Sequence, residues 1–153
     1  MTPIVACAPI FKDKIWGGRN LQTLLAKDLP PDKPIGESWE LSGYGGDISV
    51  VAEGEDAGRS LDHLAKEQRG ALLGERTTGG TLPLLYKFID AQRRLSVQVH
   101  PSDDDARRNG WGEYGKTECW YVVDAAPGAR IIVGVKEGVG IRDIEEGVRA
   151  QTL

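Results

Sequence analysis

Apolar and polar positions alternate with two periods along this chain, and each period assigns a kind of element. A period of two marks extended segments, because successive side chains on a strand face opposite ways. It appears at residues 38–41, 47–52, 84–90, 95–100, 118–123 and 130–135, with Gly or Pro turns between several of them, and predicts a mainly antiparallel β protein. Asp124-Ala125-Ala126-Pro127-Gly128 is placed to join the last two as a hairpin loop. Helical spacing is confined to short stretches. Residues 21–27 form one, after a Trp16-Gly17-Gly18 turn, and Ser60 reads as the N-cap of a second that carries Leu61, Leu64, Ala65, Gln68 and Leu72 and ends at Gly74. Ser102 caps a third, whose Asp103, Asp104 and Asp105 complement the positive end of the helix dipole and which Gly110 stops. Ile141, Ile144 and Val148 carry helical spacing near the end.

Composition narrows the class. A chain of 153 residues with 40% hydrophobic and 27% charged positions reads as one soluble globular domain spanning residues 1–153. A domain of that size buries roughly 70% of the surface its unfolded chain exposes. The 20 Gly and 8 Pro supply the turns of a β-rich fold. Pro30-Pro31-Asp32-Lys33-Pro34 and Thr77-Thr78-Gly79-Gly80 read as loops within the domain, and no internal repeat or long linker divides it. The net charge of -4 leaves no basic patch suited to phosphate backbones, so nucleic acid is excluded as a partner. The opening residues, Met1 to Ile10, lack a positive leader region and are interrupted by prolines, so neither a signal peptide nor a membrane span is expected, and the cytoplasm is the assigned location. Cys7 and Cys119 form neither a disulfide framework nor a Cys-x-x-Cys metal motif and are expected as reduced thiols. Nothing in the pattern fixes an oligomeric state.

The chemistry concentrates between Leu95 and Glu118. On a strand over 95–100, Leu95, Val97 and Val99 share one face, and Ser96, Gln98 and His100 share the other. Alone, that polar triplet describes the wet face of a half-exposed sheet. On a strand over 118–123 the same period puts Glu118 beside Trp120 and Val122, on a face where a carboxylate is rare unless paired or ligating. An amide, an imidazole and a carboxylate are together a donor set for a divalent cation. Neighbouring candidates offer less. His63 lies in a charged helix beside Asp62 and near Lys66, which marks a surface residue, and Cys119 alternates away from Glu118. Trp16, Trp39, Trp111 and Trp120 read as packing residues, and Glu37 and Glu40 take no assignment.

Four blocks carry a resemblance: Ile35-Gly36-Glu37-Ser38-Trp39-Glu40, Leu82-Pro83-Leu84-Leu85-Tyr86-Lys87, Leu95-Ser96-Val97-Gln98-Val99-His100-Pro101 and Gly115-Lys116-Thr117-Glu118-Cys119-Trp120-Tyr121. In this order, and with Trp16-Gly17-Gly18 near the start, they resemble type I phosphomannose isomerase over essentially the whole chain. The resemblance implies a cupin-like antiparallel barrel or roll with short peripheral helices, and a zinc-dependent aldose-ketose isomerase that interconverts mannose 6-phosphate and fructose 6-phosphate. By the same resemblance, Gln98, His100 and Glu118 are metal ligands for one Zn²⁺, Lys116 is the catalytic proton carrier or electrostatic stabiliser, and Lys87 and Ser96 line the site for the sugar phosphate. A fourth ligand, a histidine, and further strands belong beyond Leu153, so the chain reads as the N-terminal portion of a longer enzyme, with an incomplete roll and little turnover alone. Rival readings are a noncatalytic sugar-phosphate-binding cupin, an Fe(II) cupin oxygenase and an inactive fragment of the enzyme.

Overall fold

The computed structural model describes residues 4–43, 45–75 and 82–152. The chain divides into two compact units, Met1–Ser96 and Val97–Leu153. The first is built on an antiparallel sheet of β1 (Ile10–Gly18), β2 (Ile35–Ser42) and β3 (Leu85–Ile89), in that order across the sheet. Short helices α1 (Asn20–Leu25), α2 (Leu61–Glu67) and α3 (Arg69–Leu72) accompany it. The second unit holds α4 (Asp103–Arg108) and α5 (Ile141–Ala150).

Register divides the sheet into two faces. Phe11 pairs with Ser38 and Ser38 with Phe88, and these residues lie on the side covered by the core of Leu21, Leu29 and Ile35, with Leu25 packed alongside. Lys12 pairs with Glu37 and Trp39 with Lys87, which puts a row of polar and aromatic groups on the opposite face. Two glycines let β1 and β2 approach closely: a Cβ on Gly17 would stand 2.4 Å from the Gly36 nitrogen, inside hard-sphere contact. The stretch read as a Trp16-Gly17-Gly18 turn is therefore strand. Period two was hidden there by the charged residues of Phe11-Lys12-Asp13-Lys14-Ile15, on a strand with polar groups on both sides.

Helix ends follow the sequence more closely. The segment expected over 21–27 is α1, ended by Ala26 in the left-handed conformation (φ 52°). Its N-cap, Arg19, makes no side-chain cap; instead the buried Asp90 carboxylate, arriving from the end of β3, accepts the Asn20 N–H at 2.7 Å. Ser60 is the N-cap of α2, and its hydroxyl donates to Asp62 at 2.6 Å. The single helix expected from Leu61 to Leu72 is broken at Gln68 into α2 and α3, and Gly74 follows at φ 71°. In the second unit Ser102 caps α4 by accepting the Asp105 N–H at 3.2 Å, and Gly110 (φ 68°) ends the segment.

The later strands are where expectation and structure part. Residues 47–52 contribute only isolated bridges, Cys7 to Val51 and Val50 to Ser60. Residues 95–100, 118–123 and 130–135 are not strands, so the second unit has none among its described residues. Alternation specifies which face a side chain would take, but a strand forms only when another backbone satisfies its N–H and C=O groups. The apolar residues of these segments lie open: Val99 is 88% exposed, Tyr121 89% and Val133 83%. The hairpin loop survives as a turn, with the Ala129 N–H on the Ala126 carbonyl at 2.9 Å. No helix among the described residues is long and apolar enough to cross a membrane.

Candidate metal centre

Two chain segments 18 positions apart meet in the second unit because α4 folds the chain back on itself. Asp103 accepts the Gly115 N–H at 2.8 Å, and the Lys116 N–H reaches the Pro101 carbonyl at 3.1 Å. Position 115 has to be glycine for this return: a Cβ there would stand 2.2 Å from the Pro101 oxygen and 2.5 Å from the Ser102 carbonyl carbon. With residues 101 and 116 clipped together, the next side chains outward converge. His100 Nε2 lies 3.2 Å from Glu118 Oε2, and Lys116 Nζ lies 3.1 Å from Glu118 Oε1.

Glu118 is therefore engaged at both oxygens and is three-quarters shielded from solvent, at 26% side-chain exposure. Partial burial acts to raise its carboxyl above the ordinary value. Hydrogen bonds from Lys116, Trp120 and His100, with the Lys116 charge, outweigh that burial and leave it lowered, so the group is an anion at neutral pH. An anionic carboxylate is the form that binds a metal. Zinc bonds to imidazole and carboxylate of about 2.0–2.2 Å at a tetrahedral angle put two ligand atoms roughly 3.3 Å apart. The His100 to Glu118 separation of 3.2 Å fits that spacing.

Gln98, two residues before His100, is exposed and makes an interaction of its own. Among the described residues no group of three or more His, Cys, Asp or Glu side chains converges, and His100 meets Glu118 as a pair. His63 takes the surface role expected of it, on Glu67 one helical turn away at 3.0 Å. Cys7 and Cys119 are free thiols, and burial raises the Cys7 thiol above its ordinary value.

Lys87 and Ser96 belong to the first unit. Ser96 is exposed and has an interaction of its own. Lys87 is not a bare cation: its ammonium donates to Glu37 Oε1 at 2.8 Å, while the Trp39 indole N–H donates to Glu37 Oε2 at 2.8 Å. Burial acts to raise the Glu37 carboxyl, but the two hydrogen bonds and the charges of Lys87 and Lys14 outweigh it and hold the group below its usual range. Glu40 is matched in the same way by Lys27 and by the Ser38 hydroxyl, each at 2.5 Å. The sequence offered a signal for both carboxylates, since an acidic residue inside a strand with large apolar neighbours implies a partner. It did not identify the lysines.

A histidine paired with a glutamate is a donor combination that divalent metal sites use. Comparison with known proteins gives the family. Residues 4–125 match the phosphomannose isomerase type I catalytic domain, and the chain belongs to that family. It is 45% identical over 121 residues to a mannose-6-phosphate isomerase of Streptococcus mutans, covering 79% of this chain and 37% of that one. The crystal structure of the mannose 6-phosphate isomerase from Bacillus subtilis superposes with a TM-score of 0.72 at 38% identity, over 80% of this chain and 38% of that one. A zinc-bound holo mannose 6-phosphate isomerase matches with a TM-score of 0.56 at 25% identity, over 70% of this chain and 29% of that one. The chain spans about two-fifths of the length of its Bacillus subtilis and Streptococcus mutans relatives.

Proposed function

We propose that residues 1–153 are a cupin-type catalytic domain of a cytoplasmic, zinc-dependent isomerase that interconverts mannose 6-phosphate and fructose 6-phosphate. Family membership supports the reaction, and the observation that carries it to particular residues is the shared carboxylate of Glu118, held between His100 at 3.2 Å and Lys116 at 3.1 Å. In this reading Gln98, His100 and Glu118 hold the zinc. Bound there, the ion supplies Lewis acidity toward the two oxygens that gain negative charge as the carbonyl moves between C1 and C2.

The chain's own residues supply the rest. Lys116 stands one carboxylate away from His100, so its ammonium is positioned to stabilise the enediolate oxygens or to carry the proton between the two carbons. The Gly115 clip fixes Lys116 and Glu118 together, which turns a flexible lysine into an oriented one. Lys87 and Ser96 receive the phosphate, an ammonium and a hydroxyl being the donors a dianion calls for.

Zinc-loaded protein incubated with mannose 6-phosphate in D₂O tests the assignment. The expected result, in keeping with little turnover by these residues alone, is slow entry of deuterium at C2 of the recovered sugar and a small yield of fructose 6-phosphate, with both signals lost in Lys116→Met and in Glu118→Gln. Sugar-phosphate binding without exchange would instead mark a noncatalytic sugar-phosphate-binding domain and overturn the isomerase reading. Oxygen consumption by an iron-loaded sample, with no exchange, would point to an oxygenase.

A further inference from the structure

The first unit contains a buried ion pair whose acidic half has no place in the chemistry above. Glu37 is 8% exposed and sits on the central strand β2. Its two oxygens are filled by two donors, the Lys87 ammonium and the Trp39 indole, at 2.8 Å each. The pair is well shielded, with side-chain exposures of 18% for Lys87 and 10% for Glu37. A second pair on the same face is also compensated, since Lys12 lies 2.5 Å from Asp47 and its ammonium sits over the Trp39 ring at 4.5 Å from the centroid. A phosphate arriving at Lys87 therefore meets a neutralised pair.

We propose that Glu37 is an internal counter-ion that competes with an incoming phosphate for the Lys87 ammonium and so holds down the affinity of this sheet face for phosphate anions. The inference rests on the reading that Lys87 receives the sugar phosphate, and it names the group that regulates that contact. The geometry favours competition over a fixed strut in one respect. Trp39 donates to the Glu37 oxygen that Lys87 does not use, so the carboxylate keeps a partner when the ammonium turns away. An ammonium has three donors and a single one is committed to Glu37, which leaves Lys87 able to share before it transfers. The outcome is a contact that can yield to a dianion while the carboxylate keeps one hydrogen bond. Such an arrangement favours release of a phosphorylated product as much as it limits capture of the substrate.

The test uses metal-free protein and inorganic phosphate as the probe, so that it does not depend on the zinc centre. Glu37→Gln is expected to bind phosphate about tenfold more tightly than the parent chain, the order expected when a like charge a few ångströms from the anion is removed at a partly shielded site. Adding Lys87→Met to that variant is expected to abolish the gain. Equal or weaker binding by Glu37→Gln, or a gain that survives loss of Lys87, overturns the proposal. Should Glu37→Gln fail to fold, the carboxyl ¹³C resonance of Glu37 in the parent chain decides the same question: it should move in step with phosphate saturation, and a resonance that stays fixed at saturation overturns the proposal. Phosphate binding by neither the parent nor the variant overturns it as well, together with the assignment of Lys87 to phosphate. The isomerase reading stands or falls separately, on deuterium exchange at C2.

Discussion

The first unit makes a sheet and a core with its own residues, whereas the second makes a chemical contact without either. Ile35, at 2% exposed, anchors the first with Leu21 and Leu29, and three strands satisfy one another across it. In the second, Ala106 is the one buried apolar residue among those described, yet His100, Lys116 and Glu118 still meet. The difference separates two kinds of information. Bringing His100 to Glu118 needs a local return, made by a capped helix, one carboxylate and one glycine. Making strands of 118–123 and 130–135 needs partners for every second backbone group, and pairing partners are the least local requirement a fold has.

The comparison breaks most decisively at the core. Ile35→Ala is expected to cost about 2–5 kcal/mol by removing a buried side chain that its neighbours cannot replace. Val133→Ala, at a position 83% exposed, is expected to stay within about 0.5 kcal/mol. Urea midpoints of the two variants decide the matter. If Val133→Ala proved as costly as Ile35→Ala, the second unit would have a core the comparison denies it.

The next effect acts on the contact. Gly115→Ala introduces a Cβ against backbone atoms of Pro101 and Ser102, which cannot move as a side-chain tip would. The return from α4 should open and carry Lys116 and Glu118 away from His100, lowering zinc affinity by about 10–100-fold, the range seen when support around a ligand is lost. Asp103→Asn, which weakens the acceptor for the Gly115 N–H, should fall in the same direction by less. Zinc competition against a chromophoric chelator measures both. Unchanged affinity in Gly115→Ala would show that the clip does not position the pair.

Legibility follows the same division. Ser60, Ser102, Gly74 and Gly110 announced their helix ends because capping chemistry acts within a few residues. Strands β2 and β3 were read from the alternation of apolar and polar residues at 38–41 and 84–90, and β2 begins three residues earlier, at Ile35. Strand β1 was missed, its apolar positions interrupted by Lys12, Asp13 and Lys14, and the strands over 95–100, 118–123 and 130–135 were assigned from patterns that lack pairing here. The pairing of His100 with Glu118 was read from their donor types and then from the family motif; strand alternation, the argument given for its geometry, does not apply to segments that are not strands. Asp90 as the distant partner of the α1 N-terminus, 70 positions from Asn20, had no signal in the sequence at all.

The finest discrimination between the units is their response to acid. Glu37 has its carboxyl lowered from an ordinary value of 4.5 in the folded first unit: burial raises it, and the bonds from Lys87 and Trp39 with the charges of Lys87 and Lys14 more than offset that. A group whose folded-state value lies below its unfolded value contributes stability that is complete above the unfolded value and disappears as pH falls through the folded one. The sheet of the first unit should therefore lose stability below about pH 4.5, where the unfolded chain begins to take up a proton that the folded Glu37 still refuses. Replacing both partners, Glu37→Gln with Lys87→Met, avoids leaving a buried charge alone and should flatten the acid slope of the urea midpoint between about pH 6 and pH 3. Parallel slopes in the parent and the double variant would mean that the Glu37–Lys87 pair is not what makes the first unit acid-sensitive. Amide exchange read by unit over the same range sharpens the result, because the loss of protection tied to this pair should appear in β2 and β3, the strands that carry Glu37 and Lys87, while any acid response around Glu118, whose carboxyl is also held below its ordinary value, should be the same in parent and double variant.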